Sequence, residues 1–258
     1  MFDFATLLLI ATLASGVIVL IDRCSWRKAR VANNGKEPIL IEYARSFFPV
    51  LLFVFLLRSF VIEPFRIPSG SMKPSLLVGD FILVNKYTYG IRLPVWNKKV
   101  YPINEPQHGD VMVFRYPVYP NDHFIKRVIG LPGDRITYRD QTLYVNDQEI
   151  KKELIDTETI LDDDGKKVSI RRYLEHLETM THDVYERLDK GRDVINIVVP
   201  PKHYFMMGDN RDDSDDSRVW GFVPEENIVG KAFWVWMSWD GADTRIRFER
   251  LGKTIQGS

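Results

Sequence analysis

Eighteen consecutive residues without a charge, FATLLLIATLASGVIVLI at 4–21, restrict this chain more than any other feature. Coiled as a helix they extend about 27 Å, close to the roughly 30 Å hydrocarbon layer of a bilayer. Length and lack of charge favour a membrane span over a buried core helix. A cleavable signal peptide carries positive charge before its apolar run, but here only Asp3 precedes it. The segment is therefore read as a retained anchor.

A second apolar run, SFFPVLLFVFLLRSFVI at 46–62, is shorter and interrupted by Arg58. Four residues from the end, that guanidinium can snorkel to the interface or meet Glu63. Pro49 lies near the start, where a missing backbone donor costs little. Between the runs stand Arg23, Arg27, Lys28, Arg30, Lys36 and Arg45 against Asp22, Glu37 and Glu42. Excess Lys and Arg mark the cytoplasmic side, so the N-terminus and everything after residue 62 face outward. Cys24 is the only cysteine. It excludes an internal disulfide or a multi-cysteine metal site, and its place in the cytoplasmic loop suits a reduced thiol.

Residues 1–62 thus read as a membrane anchor, and 63–258 as an outer-face β domain. The domain's strand candidates are short apolar runs separated by Pro, Gly and Asp: 80–87, 110–116, 123–131, 134–140, 142–147, 194–200, 203–209 and 230–240. Gly79-Asp80, Gly109-Asp110, Gly133-Asp134 and Gly208-Asp209 recur beside them, glycine supplying permissive dihedrals. A highly charged stretch at about 151–193 reads as a surface insertion of hairpins with a short helical piece. Asp162-Asp163-Asp164-Gly165 is its turn, and GKTIQGS at the C-terminus looks frayed. Charge excludes another class of function: 35 basic and 35 acidic residues balance overall. Beyond residue 62 the balance is 28 to 31, a poor match to a nucleic-acid binder.

In IPSGSMKPSLLVGD at 67–80, small and turn-forming residues surround Ser71. A serine is a strong nucleophile only when a neighbour takes its proton. The five histidines, His108, His123, His176, His182 and His203, stand in no recognisable triad motif, and each reads as a surface residue. A lysine can serve if burial lowers its pKa from about 10.4. Lys126 lies in the apolar run FIKRVI, where alternation places it opposite Arg127. Lys73 is the rival, two residues from Ser71 and on its side if the segment is extended, as Pro74 favours. Desolvation favours Lys126 without excluding Lys73.

Two spans followed by PSGSMKPSLLVGDFILVNKYTYGI, GDVMVFRYP, IKRVIGLPGD and GDNRDDSDDSRVWGFVPEENIVGKA resemble the bacterial type I signal peptidases, Ser–Lys membrane proteases. The resemblance covers nearly the whole chain. It implies a mainly β protein: two N-terminal transmembrane helices and an antiparallel β catalytic domain with a smaller inserted β-rich region. Ser71 resembles the nucleophile and Lys126 the general base. Ser69 would join the Ser71 N–H in the oxyanion hole. Ser214 resembles the hydroxyl that orients the lysine, and Asp209, Asp216, Arg218 and Arg127 its polar support. Phe65, Ile67, Met72, Leu76, Val113 and Ile125 would line shallow pockets for small side chains in an Ala-X-Ala pattern.

The resemblance implies signal peptides of exported preproteins, the lipid bilayer and the protein-export machinery as partners. No cofactor is implied. The aspartates at 209–216 lack the glycine and terminal glutamate of a calcium loop, so no metal is expected. Trp220, Trp234, Trp236 and Trp239 read as core by default. Two rivals remain: a self-cleaving Ser–Lys repressor, which needs a DNA-binding module where this chain has spans, and an inactive membrane scaffold of the same fold.

Overall fold

The computed structural model describes residues 4–33, 36–94, 97–162, 165–178, 180–188 and 193–255. The chain divides into two compact units, residues 1–62 with 92–100 and residues 63–91 with 101–258.

In the first unit, helix α1 (Phe4–Ile21) runs through a π turn at Asp22–Trp26 into α2 (Arg27–Ala32). Helix α3 (Ile39–Leu56) ends in a π turn at Leu57–Val61 and packs against α1. The spans long and apolar enough to cross a bilayer are Phe4–Trp26 and Ile39–Val61, 23 residues each. The second begins seven residues before the apolar run. Pro38, extended, caps it, and the helix carries Glu42 and Arg45 in its first turns. Pro49 is consequently an interior residue and leaves the Arg45 carbonyl without its helical donor.

Arg45 is not simply one more cation of the loop. Asp22, 2% exposed, forms an ion pair with Arg30 and accepts from Arg45, each at 2.8 Å, and Arg45 also pairs with Glu37 at 2.6 Å. Arg58 places its guanidinium carbon 4.3 Å from the Phe4 ring centroid. Glu63 pairs with Lys86 at 3.0 Å. An aromatic face suits a weakly hydrated guanidinium.

The second unit is built on one mixed-length sheet. Its main strands are β1 (Ile62–Arg66), β2 (Asp80–Asn85), β3 (Val111–Arg115), β4 (His123–Gly130), β11 (His203–Met207) and β12 (Ile228–Asp240). Spatially the order is β1–β2–β12–β3–β4–β11, with short strands at Val223–Pro224 and Arg245–Ile246 on its margins. All the registered pairs are antiparallel. A smaller sheet contains β5 (Arg135–Arg139), β6 (Thr142–Val145) and β10 (Val194–Val198), with Gln148–Glu149 pairing β6. The insertion forms a third: β7 (Lys152–Leu161), β8 (Lys167–Leu177) and β9 (Met180–Arg187).

Three of the Gly-Asp corners share one construction. Gly79, Gly109 and Gly133 have φ of +89°, +84° and +96°, the third position of a type II-like turn. The following aspartate donates its N–H to the carbonyl three residues back. Its carboxylate accepts that residue's own N–H: Leu77 at 2.8 Å, Gln107 at 3.1 Å and Leu131 at 2.7 Å. Gly208-Asp209 is different. Gly208 has no positive φ, and its missing side chain leaves room for the Ser71 carbonyl and the Ser214 hydroxyl.

The insertion departs from expectation in two ways. Among the described residues of 151–193 there is no helical piece, because His182, Val184 and Glu186 face inward at period two. Nor is it purely a surface: Glu175, His182 and Glu186 are buried, 4% exposed or less. His182 is therefore a core histidine rather than a surface one, while His176 pairs with Glu153 at 3.3 Å. The expected 162–165 turn includes Asp163 and Asp164, which lie outside the described residues, as do residues 256–258. Residues 252–255 are not frayed. Ile255 is buried, the Val235 N–H donates to the Lys253 carbonyl, and the Ile255 N–H to that of Phe233.

Candidate active site

Residues 67–76 turn rather than extend. The Lys73 N–H donates to the Gly70 carbonyl and the Leu76 N–H to that of Met72. Ser71 is thereby presented beside β4, 7% exposed. Lys126 stands on β4 opposite Met112, and its Nζ lies 2.5 Å from Ser71 Oγ. Because the segment is turned, Lys73 points elsewhere, its Nζ 3.5 Å from the Leu161 carbonyl.

Lys126 is 4% exposed. Burial is the largest influence on it and pulls its pKa down from 10.5 to about 8. Asp216, Asp209 and Asp215 act in the opposite sense and keep the shift from being larger. Alternation sends Arg127 to the other face, where its fork grips Asp209 at 2.8 and 2.6 Å and donates to the Gly109 carbonyl at 2.8 Å. Ser75 Oγ adds a 2.5 Å bond to the same carboxylate. Burial pushes Asp209 up, but Arg127 more than offsets this and holds it below the ordinary range.

Asp216 accepts from Gly208 N–H at 3.0 Å and from the Arg218 fork, with both bonds at 2.8 Å, and caps the short helix Ser217–Trp220. The pair is fully buried. Ser214 is buried next to Gly208 with its hydroxyl unpartnered. Ser69 is exposed, its Oγ 3.5 Å from Ser71 Oγ. The Ser71 N–H has no acceptor among the described residues.

A cleft of roughly 350 Å³ opens over the pair, lined by Pro68, Ser69, Ser71, His123, Phe124, Ile125, Lys126, Asp213 and Asp215. Phe65, Ile67, Met72, Leu76, Val113 and Ile125 all share one apolar cluster. Of the six, only Ile125 lines this cleft, and Met72 and Leu76 have no exposed surface. Among the described residues no cluster of His, Cys, Asp or Glu could hold a metal ion.

Sequence reasoning gave several neighbours no role. Asn210 donates from its backbone to the Ser71 carbonyl and from its side chain to that of Gly70, each at 3.1 Å. Arg211 is gripped by both carboxylate oxygens of Glu175 on β8. The Tyr185 N–H on β9 donates to the Asp209 carbonyl at 2.8 Å. The segment 209–211 therefore joins the insertion to the main chain of Ser71. Asn210 and Arg211 sat visibly in GDNRDD, but nothing in sequence pairs them with residues dozens of positions away.

A hydroxyl and a buried, pKa-lowered amine in contact at an open cleft on an antiparallel β scaffold, with no histidine hydrogen-bonded to that hydroxyl, form an arrangement suited to nucleophilic chemistry. The profile of the family described as Signal peptidase, peptidase S26 matches residues 40–239, and the chain belongs to that family of peptidases. Signal peptidases I of Pseudomonas fluorescens and Pseudomonas aeruginosa are each 47% identical, over 92% of this chain and 93% of theirs. That of Buchnera aphidicola from Acyrthosiphon pisum is 36% identical over 90% of this chain and 88% of its own. A crystal structure of a signal peptidase I from Enterococcus faecalis V583 is 35% identical, covering 50% of this chain and 97% of that one, with a TM-score of 0.32.

Proposed function

We propose that the protein is a membrane-bound endopeptidase that removes signal peptides from exported preproteins by a Ser71–Lys126 dyad. The observation that carries this reading is the 2.5 Å approach of Lys126 Nζ to Ser71 Oγ in a buried setting that brings the amine to a pKa of about 8. At pH 7 about one chain in ten then holds a neutral amine, against fewer than one in a thousand for an ordinary lysine.

The neutral amine takes the Ser71 proton as Oγ attacks the scissile carbonyl. The ammonium so formed protonates the leaving amine, and the acyl-enzyme is released by water that the same lysine activates. The Ser71 N–H and the Ser69 hydroxyl are assigned to the oxyanion, where one such donor is worth about 3 kcal/mol. Ser214, with its hydroxyl buried and unspent, is assigned to orient the amine. Asp209, Asp216, Arg127 and Arg218 keep their charges satisfied around it.

Substrate enters as an added strand along the cleft. Ile125 and the half-buried Phe65 offer an apolar floor for small side chains, and Ile67, Met72, Leu76 and Val113 pack behind it. The narrow floor excludes large groups sterically. The two spans anchor the chain, with the 22–45 loop cytoplasmic and residues 63–258 outside, within reach of the export machinery that delivers preproteins. Trp234, Trp236 and Phe248 leave a third or more of their surface exposed and suit contact with lipid. A preprotein cleavage assay tests the reading. Ser71→Ala and Lys126→Met each abolish cleavage while remaining folded; equal turnover by parent and Ser71→Ala would instead favour a scaffold.

A further inference from the structure

Lys126 and Arg127 face opposite sides of β4, and each side has its own cleft. Behind the dyad, a second cleft of roughly 310 Å³ is lined in part by Ser75, Arg127, Arg172, His182 and Lys253. Three observations bear on what it takes. First, its charges do not cancel. Arg127 is spent on Asp209, and Arg172 on Asp183 at 2.6 Å. The Lys253 ammonium is left with no hydrogen bond or ion pair among the described residues, at the exposed rim of the cleft, its pKa lowered by burial and by Arg250.

Second, His182 has a side chain 2% exposed and neither ring nitrogen hydrogen-bonded. Its Nε2 lies 3.4 Å from Glu175 and 3.8 Å from Asp209 without bonding either. Burial brings its pKa to about 4, so at neutral pH the ring carries one N–H to give. A buried imidazole without a partner is a standing cost that a ligand acceptor removes. Third, Leu174 and Ile255 add apolar wall, which suits a ligand with an apolar part better than a fully hydrated ion.

We propose that this rear cleft is a second binding site, for a small carboxylate with a short apolar tail. The anion would pair with Lys253, accept from His182 and lay its tail on Leu174 and Ile255. The site also touches the catalytic segment: Ser75 is four residues from Ser71, and Arg127 adjoins Lys126. An occupant therefore contacts the side chains that hold Asp209.

The test uses the full chain in detergent at pH 7, with ionic strength held constant by chloride. Butyrate is titrated calorimetrically against its neutral analogue butyramide. Saturable butyrate binding is expected, with butyramide at least tenfold weaker. Lys253→Gln weakens butyrate at least tenfold, and His182→Phe weakens it too, with circular dichroism confirming that both fold. Ser71→Ala and Lys126→Met, which alter the front cleft, leave binding unchanged. Absence of saturation, equal binding of butyramide, or undiminished binding by Lys253→Gln overturns the proposal. Loss of binding in Lys126→Met also overturns it, by assigning the ligand to the front cleft.

Discussion

At the scale of single residues, the proposed chemistry rests on one amine, Lys126, that burial makes both available as a base and costly to the fold. A lysine that titrates near 8 folded and near 10.5 unfolded binds fewer protons in the folded state between those values. Stability therefore rises with pH across that window, and the full penalty is felt below 8. Lys126→Met should remove activity and stabilise the fold at pH 7 by as much as about 3 kcal/mol. The gain should shrink as pH approaches 10.5, which thermal unfolding of both proteins at several pH values measures. Gly208→Ala should act in the contrary sense. A methyl there collides with the Ser71 carbonyl and the Ser214 hydroxyl, so turnover should fall at least tenfold with substrate affinity little changed. Lys73→Ala, by contrast, should leave turnover within about twofold, since that side chain reaches Leu161 rather than Ser71.

The elements show where sequence speaks clearly and where it misleads. The candidates for β2, β3, β4, β5, β6, β10, β11 and β12 were legible because apolar alternation and Gly-Asp corners mark them. Strands β7, β8 and β9 were not. Their inward positions include Glu175, His182 and Glu186, which read as solvent-facing until Arg211 and Lys152 are seen beside them. The start of α3 was missed for a similar reason: Glu42 and Arg45 look like loop residues until Arg45 meets Asp22. The meeting of Ser71 with Lys126 was half legible, since burial favours Lys126 over Lys73 but only the turned 67–76 segment separates the two. Asn210 and Glu175, by contrast, make contacts that no sequence spacing announces. Breaking the Glu175–Arg211 clasp leaves a buried charge unpaired, a loss of about 3–5 kcal/mol. Glu175→Gln should therefore lower both melting temperature and kcat, and the paired change with Arg211→Gln should restore part of the stability. A double-mutant cycle measures this.

For the whole molecule, the anchor and the β domain answer different questions. Asp209 and Asp216 are held low by their arginines against the upward push of burial. Their share of stability is present above the ordinary carboxylate value and is lost as pH falls from there through their lowered folded values. Topology has a handle in Cys24, exposed and the only thiol of the chain. In intact spheroplasts a membrane-impermeant maleimide should leave Cys24 unlabelled while added protease degrades the domain after residue 62; labelling before permeabilisation would invert the orientation.

The central claim is that Lys126 is uncharged often enough at working pH to accept the Ser71 proton. Carbon-13 NMR of the lysine side chains, with Lys126 assigned by its absence in Lys126→Met, reads this directly. A titration midpoint near 8 is the predicted result. A midpoint at the value of an exposed lysine would contradict the account.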